Sequence, residues 1–259
     1  MLWILEHLDQ LNTEAVISFL PRLSDARRNR VLSMKPEGPR VQSVLAELLL
    51  RRALREEYGL GELPTIETGE KGKPFFPDYP EIHFNLSHCK YAVACALDSA
   101  PVGVDVEVCG RLRRDGTLPS AIGLKDQGSG IRERRDGTLP SASSCRGGHW
   151  PPASSNHALF RVLSEAERAW VLAGETPEEQ DRRFTAVWTC KEAWGKALGL
   201  GILYDLNATC FLPMQESWRQ EDFTFFHRSR DAYELTLCSR ELLPWECVSA
   251  EEIRYELSL

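Results

Sequence analysis

The sequence has no long apolar segment, no excess of basic residues and no closely spaced pair of cysteines. No apolar run approaches the ~20 residues that a membrane-spanning helix needs. Lysine and arginine number 31 against 38 acidic residues, a net charge of −7, whereas nucleic-acid-binding proteins normally carry a basic field. Glu6, His7 and Asp9 interrupt the apolar stretch that a secretory signal requires. We therefore expect a cytoplasmic protein that binds neither nucleic acid nor membranes.

The eight cysteines include no C-x-x-C pair, which argues against a structural zinc site. Without an export signal, we expect them to be reduced and mostly buried thiols. The composition, 42% apolar and 27% charged, is that of a globular protein with a proper core.

Residues 1–108 are predicted to mix helix and strand. A helix follows Pro39 and stops near Gly59, because apolar residues recur at helical spacing between them and glycine suits a helix C-terminus. Three strands are then predicted, at His83–Ser87, Tyr91–Leu97 and Val102–Val108.

The composition changes at 109–157, where glycine, serine, proline and arginine dominate. A direct repeat lies inside this segment: RLRRDGTLPSA at 111–121 recurs as RERRDGTLPSA at 132–142. Two short polar copies cannot stack into a solenoid, which needs several copies with an apolar face. We predict a disordered insertion.

Residues 158–259 are predicted to form a second α/β half. A helix opens at Ser164 and runs through Leu172, and another covers Asp181–Leu198. Strand-like runs follow: FTFFHRS (223–229), AYELTLCS (232–239) and CVSAEEIRYEL (247–257).

The segment PVGVDVEV (101–108) alternates with period two. Asp105 and Glu107 therefore share one strand face, about 6.5–7 Å apart. Two close carboxylates repel each other unless a cation lies between them, and oxygen ligands favour Mg²⁺. The alternative is an amphipathic strand with a solvated acidic face, and the segment taken alone favours this alternative.

On the predicted Asp181–Leu198 helix, Lys191 falls in the middle of the apolar stripe. Such a lysine must extend to solvent or meet a buried anion. Glu192 and Lys196, four residues apart beside the stripe, could form an ordinary helical ion pair. That pair leaves Lys191 unexplained, whereas an anionic ligand such as a pyrophosphate would explain all three residues.

The pattern Ser164-x-x-Glu167 matches a capping box, in which serine and glutamate satisfy each other's backbone N–H groups. We assign Ser164 this structural role. Glu167 is equally compatible with a cap and with a place in a functional site.

Other candidate binding residues lie on loops and at strand ends. Lys73 and Pro74 lie on a proline-stiffened loop, and Ser87 and His88 end a predicted strand, where polar groups reach a ligand. Basic residues precede or open the first long helix: Arg27, Arg28, Arg30 and Arg40. Each is more often part of a turn or a solvated surface than a ligand contact.

Taken together and in this order, the motifs resemble those of the Sfp-type 4'-phosphopantetheinyl transferases. The matching blocks are GKP (72–74), FNLSH (84–88), VGVDVE (102–107), LSEAE (163–167) and WTCKEAWGKALGLG (188–201). The resemblance implies an α+β fold, a pseudo-dimer of two similar α/β subdomains with the active site in the cleft between them.

The resemblance also implies a function. The family transfers the 4'-phosphopantetheine arm of coenzyme A to a serine of an acyl or peptidyl carrier protein in polyketide, peptide or fatty-acid synthesis, releasing adenosine 3',5'-bisphosphate. By motif, the Mg²⁺ ligands would be Asp105, Glu107 and Glu192. The pyrophosphate would be faced by Lys191 and Lys196, and Glu192, then Glu167, would be the candidate bases. The coenzyme A pocket would be lined by Lys73, Pro74, Ser87, His88, Arg27, Arg30 and Arg40. We expect a monomer.

Two alternatives to an active transferase stay open. One is a catalytically disabled module that binds coenzyme A or a carrier protein, because the insertion departs from the family pattern. The other is a Mg²⁺-dependent phosphohydrolase that shares the carboxylate pair.

Overall fold

The computed structural model describes residues 1–110, 162–200, 205–212 and 214–258. The predicted insertion, 109–157, lies outside these residues except for Cys109 and Gly110. The described chain mixes helices and strands in an α+β arrangement, as predicted. Within these ranges, no helix combines the length and apolar character that crossing a bilayer requires.

Helices and strands follow one another along the described chain. The helices are α1 (Thr13–Ser18), α2 (Asp25–Ser33), α3 (Glu37–Tyr58), α4 (Glu165–Leu172), α5 (Pro177–Leu198) and α6 (Ala250–Ser258), with short 3-10 helices at Leu8–Gln10 and Leu20–Arg22. The strands are β1 (Leu2–Leu5), β2 (Glu67–Thr68), β3 (Pro74–Phe75), β4 (His83–His88), β5 (Val93–Asp98), β6 (Gly103–Val108), β7 (Ser217–Gln220), β8 (Phe223–Ser229), β9 (Tyr233–Ser239) and β10 (Trp245–Val248).

The strands form two four-stranded sheets and a small hairpin of β2 and β3. The first sheet has the order β10-β1-β5-β4, in which β1 pairs parallel with β10 and antiparallel with β5. The second sheet has the order β6-β9-β8-β7 and is antiparallel throughout. The sheets exchange strands, because β6 from the first part of the chain lies in the second sheet and β10 lies in the first.

The two sheets pack face to face and each is covered by a helix on its outer side. Along β1, Trp3 and Leu5 join the core beneath α3, whereas Leu2 and Ile4 join the core between the sheets. This alternation explains why every residue of β1 is buried. The outer face of the second sheet packs against α5.

The long helices follow the sequence predictions, with one difference in length. The helix predicted after Pro39 is confirmed as α3, which ends at Gly59 in the left-handed conformation with a φ of 67°. The helix predicted from Asp181 begins earlier, at Pro177, because the Thr176 side chain caps it by accepting from the Glu179 N–H. That first turn is polar, so apolar spacing did not reveal it.

The prediction of a strand-like CVSAEEIRYEL segment is wrong beyond Val248. The chain turns into α6, because Ser249 and Glu252 form a reciprocal cap: the Ser249 N–H donates to the Glu252 carboxylate and the Glu252 N–H to Ser249 Oγ. Ile253 then joins the core beneath the first sheet. The S-x-x-E spacing was a readable signal for this helix.

Helix α5 lies directly on β6 at Gly103. A β-carbon at this position would be 2.0 Å from the Ala193 carbonyl oxygen and 2.5 Å from the Ala197 nitrogen, both backbone atoms of α5. Only glycine allows this close approach. The approach sets the distance between α5 and the residues of β6 that follow Gly103.

We expect Gly103→Ala to lower the free energy of unfolding by about 1–3 kcal/mol or more, because helix and strand must move apart. Urea unfolding measures this. Gly61→Ala is the matched control, since an added β-carbon there has no atom within 4 Å, and it should leave stability within about 0.5 kcal/mol. Equal midpoints for the two variants would contradict the close contact.

Candidate active site

Strand β6 presents its acidic residues toward α5. Val104 and Val106 point into the core between the sheets, so Gly103, Asp105 and Glu107 share the opposite face, as the alternation predicted. Asp105 is buried, with 3% of its surface exposed.

Lys196 of α5 is the charged partner of Asp105. Its Nζ lies 2.5 Å from Asp105 Oδ1 and donates to the Val104 carbonyl at 3.1 Å. The lysine side chain is 28% exposed, whereas the Asp105 side chain is 5% exposed. A buried carboxylate paired with a partly exposed lysine is suited to contact an anion.

Strand β6 lies at the edge of its sheet, and side chains of β4 bind backbone N–H groups along this free edge. Ser87 Oγ donates to Asp105 Oδ1 at 3.0 Å and accepts from the Val106 N–H at 3.2 Å. Asn85 Oδ1 accepts from the Val104 N–H at 2.8 Å. Ser87 was a predicted site residue. Asn85 was not, although it shares the polar face of β4 with Ser87.

Two further carboxylates act on Lys196. Burial lowers the pKa of Lys196, but the negative charges of Asp105, Glu192 and Glu107 outweigh burial and raise it overall. Glu192 and Glu107 are thus electrostatic neighbours of Lys196, as Asp105 is.

The acidic residues fit a divalent cation in their chemistry. Asp105 Oδ2 is buried and has no hydrogen-bond partner among the described residues, so this oxygen is available to a ligand. Within the described chain, no three His, Cys, Asp or Glu side chains come close enough together to hold a metal ion. The Lys196 ammonium compensates the charge of Asp105.

A basic region lies beside this cluster. Burial, followed by the charges of Arg27, Arg30 and Lys196, lowers the pKa of His88 to about 4, so the imidazole is neutral near pH 7. Arg40 Nε is buried and has no hydrogen-bond partner in the described part of the chain. The positive charges around His88 favour an anion there, and the unsatisfied Arg40 N–H is a further donor on α3.

Buried Glu47 of α3 positions this basic region. Its carboxylate accepts from the Ser24 N–H and hydroxyl, at 3.0 and 2.8 Å, immediately before α2. Glu47 also lies 3.8 Å from Arg27 and 2.9 Å from Arg51. Arg27 of α2 is thereby held against α3.

Lys191 and Glu167 lie apart from the cleft. They form an ion pair of 2.9 Å in which both side chains are 0% exposed. Lys191 Nζ also donates to the Leu206 and Thr209 carbonyls, each at 2.6 Å. The anion that Lys191 meets is therefore the Glu167 carboxylate, and neither side chain is open to a molecule in solution.

Glu167 also completes the predicted capping box. Its Oε2 accepts from the Ser164 N–H at 2.8 Å, and Ser164 Oγ accepts from the Glu167 N–H at 3.3 Å. The other oxygen, Oε1, accepts from the Phe211 N–H at 2.9 Å. Both oxygens are thus engaged.

Lys73 and Pro74 border a separate cavity of about 420 Å³ at the far end of β4 from Ser87 and His88. Its lining includes Lys73, Pro74, Phe76, His83, Phe84 and Gly199. The Lys73 amine points into the protein, where burial lowers its pKa to about 8. The structure therefore brings together Ser87, Asp105 and Lys196, and places Lys73 at the other end of the strand.

A buried acid that the sequence analysis did not single out is Glu234 on β9. It pairs in register with Glu107 and is held by Arg182 of α5 at 2.8 Å and by Ser229 Oγ at 2.8 Å. Its place in the run AYELTLCS was the available signal, since a single acid inside a buried strand requires a partner.

Comparison with known proteins adds independent information. A family model described as the 4'-phosphopantetheinyl transferase superfamily matches residues 150–249. The chain is 31% identical over 185 residues to the 4'-phosphopantetheinyl transferase AcpT of Salmonella typhimurium, covering 71% of this chain and 72% of AcpT.

Shorter matches reach other members. The chain is 34% identical over 101 residues to the 4'-phosphopantetheinyl transferase Sfp of Bacillus subtilis, covering 39% of this chain and 44% of Sfp. It is 29% identical over 168 residues to the 4'-phosphopantetheinyl transferase gsp of Aneurinibacillus migulanus, covering 64% and 52%. The chain thus spans about half the length of these two relatives. Together with the match to AcpT, these similarities show that the chain belongs to the Sfp-type 4'-phosphopantetheinyl transferase family.

Proposed function

We propose that this protein transfers the 4'-phosphopantetheine group of coenzyme A to a serine of an acyl or peptidyl carrier protein and releases adenosine 3',5'-bisphosphate. The observation that carries the proposal is the arrangement around Asp105, a buried carboxylate bound by Lys196 and Ser87 with one oxygen left unpartnered. Family membership supports the same reaction class.

In this proposal, Lys196 binds the pyrophosphate of coenzyme A. Its ammonium group lies beside Asp105, on a side chain that is 28% exposed, and would offer positive charge where the leaving phosphate gains negative charge. The neutral imidazole of His88 can donate a hydrogen bond without adding charge. Arg27, Arg30 and Arg40 would hold the remaining phosphate of the nucleotide, since guanidinium groups bind phosphate in a bidentate manner.

Asp105, Glu107 and Glu192 would hold Mg²⁺, which supplies positive charge against the pyrophosphate when bound. The Lys196 ammonium would then move from Asp105 to contact a phosphate oxygen. The acidic residues thus serve either the lysine or a cation, and both arrangements keep the buried Asp105 charge compensated.

The carrier serine attacks the phosphorus of the pantetheine phosphate. A new serine O–P bond forms, the bond to the nucleotide phosphate breaks, and the serine proton must pass to a base. Glu167 is a poor acceptor because Lys191, the Ser164 N–H and the Phe211 N–H already occupy its carboxylate. We therefore assign the proton to Glu192.

We also propose that the two sheets with their helices are the related halves of a pseudo-dimer, which exchange the strands β6 and β10. Helices α3 and α5 each have 22 residues, each covers the outer face of one sheet, and each ends at a left-handed glycine, Gly59 or Gly199. The proposed active site lies where β4 of one sheet meets β6 of the other.

The reaction is tested by incubating the full chain with coenzyme A, MgCl₂ and a panel of carrier proteins, and measuring the intact mass of each carrier. We expect one carrier to gain one phosphopantetheine. Coenzyme A binding in a calorimeter with no mass gain on any carrier would overturn the proposal and favour the disabled binding module. Release of nucleotide without a carrier would favour a phosphohydrolase.

A further inference from the structure

Lys73 connects the β2–β3 hairpin to both elements that carry the proposed active site. Its Nζ donates to the Val102 carbonyl at 3.2 Å, immediately before β6, and to the Ala197 carbonyl at 3.0 Å, in the last turn of α5. Its Cδ lies 3.5 Å from the position of a β-carbon on Gly199, so the side-chain stem packs on the glycine that ends α5.

These contacts complete the C-terminus of α5. The last carbonyl groups of a helix have no partner within the helix. The Gly195 carbonyl accepts from the Leu200 N–H at 3.0 Å and the Lys196 carbonyl from the Gly199 N–H at 3.2 Å. Lys73 donates to the next carbonyl, that of Ala197. It also places its positive charge at the helix C-terminus, where the helix dipole stabilises a cation.

The same point is where strand and helix touch. Gly103 follows Val102 and lies under Ala193 and Ala197. Lys196 directly precedes the residue that Lys73 holds, and Asp105 lies two residues beyond Gly103. Movement of the last turn of α5 would therefore change the distance between Lys196 and Asp105.

The chemistry of Lys73 is also unusual for a ligand-binding lysine. Among the described residues, its amine has two main-chain oxygens as partners and no carboxylate within ion-pair distance. Burial lowers its pKa to about 8, and both the charged and the neutral amine can donate to the two carbonyls. The hydrogen bonds thus persist across the physiological pH range.

We propose that Lys73 is a positioning residue, which fixes the last turn of α5 on the start of β6 and thereby sets Lys196 against Asp105. Its place in catalysis rests on the transfer reaction proposed above, whereas its effect on α5 does not.

The kinetic test compares Lys73→Met with Lys71→Met, an exposed lysine of the same hairpin turn. We expect Lys73→Met to lower kcat by about tenfold or more, because a small displacement of catalytic groups has large effects. The KM for coenzyme A should stay within about twofold of the wild-type value. A raised KM with unchanged kcat would instead mean that Lys73 contacts coenzyme A, and would overturn the proposal.

A second measurement does not depend on activity. Hydrogen–deuterium exchange should be faster at the Gly199 and Leu200 amides in Lys73→Met than in Lys71→Met, with the wild type as reference. Lys73→Gln serves as the second variant if Lys73→Met does not fold, and the same increase is expected. Unchanged exchange at both amides overturns the proposal. Faster exchange in a protein that modifies no carrier supports the positioning role and overturns only the proposed reaction.

Discussion

Replacing Asp105 by asparagine is expected to slow phosphopantetheine transfer by about a hundredfold to a thousandfold. Asparagine keeps the size of the side chain and can still accept a hydrogen bond from Ser87, but it removes the charge that Lys196 contacts at 2.5 Å. It also replaces one carboxylate oxygen by an amide, which cannot bind a cation with both atoms. The rate of mass gain on a carrier protein measures the effect.

The loss should reflect chemistry and not unfolding. When Asp105 is neutral, the Lys196 ammonium still has the Ser87 hydroxyl and the Val104 carbonyl as partners, so the fold should survive. Asp222→Asn is the matched control, because the Asp222 side chain is 81% exposed between β7 and β8 and, within the described chain, pairs with Arg240. If Asp105→Asn kept more than a tenth of the wild-type rate, with the protein folded, Asp105 would not be central to the reaction.

The second large effect is expected at the buried pair of Lys191 and Glu167. Either Glu167→Gln or Lys191→Met alone should lower the free energy of unfolding by about 3–5 kcal/mol, because each leaves one buried polar or charged group without its partner. Burial already lowers the pKa of Lys191 and the Glu167 charge opposes that shift, so the lysine depends on the glutamate to remain charged. Urea unfolding of the variants gives both values.

The double variant measures the interaction energy between Lys191 and Glu167 separately from the contacts that each makes with other residues. With both charges removed, the loss should be clearly smaller than the sum of the two single losses. A parallel cycle on the exposed pair of Asp222 and Arg240 should show a coupling below about 1 kcal/mol. Additive losses at Lys191 and Glu167 would mean that the two side chains do not form the enclosed ion pair.

Local patterns in the sequence were sufficient for much of the site. The period of two in residues 103–108 placed Asp105 and Glu107 on one face of β6, and the Ser164 capping box was visible from its spacing. These features depend on residues a few positions apart, for which helix and strand geometry fixes the outcome.

Contacts between distant elements could not be obtained in this way. Apolar spacing showed that Lys191 needed an anion, but it did not show that the anion is Glu167, because this depends on how α4 packs on α5. The role of Asn85 likewise depends on the approach of β4 to the edge of β6. In the CVSAEEIRYEL segment, the spacing of the apolar residues is compatible with a strand. The segment forms a helix after Val248 because Ser249 and Glu252 cap its N-terminus.

The parallel pairing of β1 with β10 has a consequence for the order of folding. Residues 2–5 lie beside residues 245–248, so the first sheet is complete only after residues 245–248 have left the ribosome. Contacts between such distant residues carry a large loop-closure cost and slow folding. Until β10 has been synthesised, β1 is therefore an exposed edge strand. An exposed edge favours aggregation or chaperone binding.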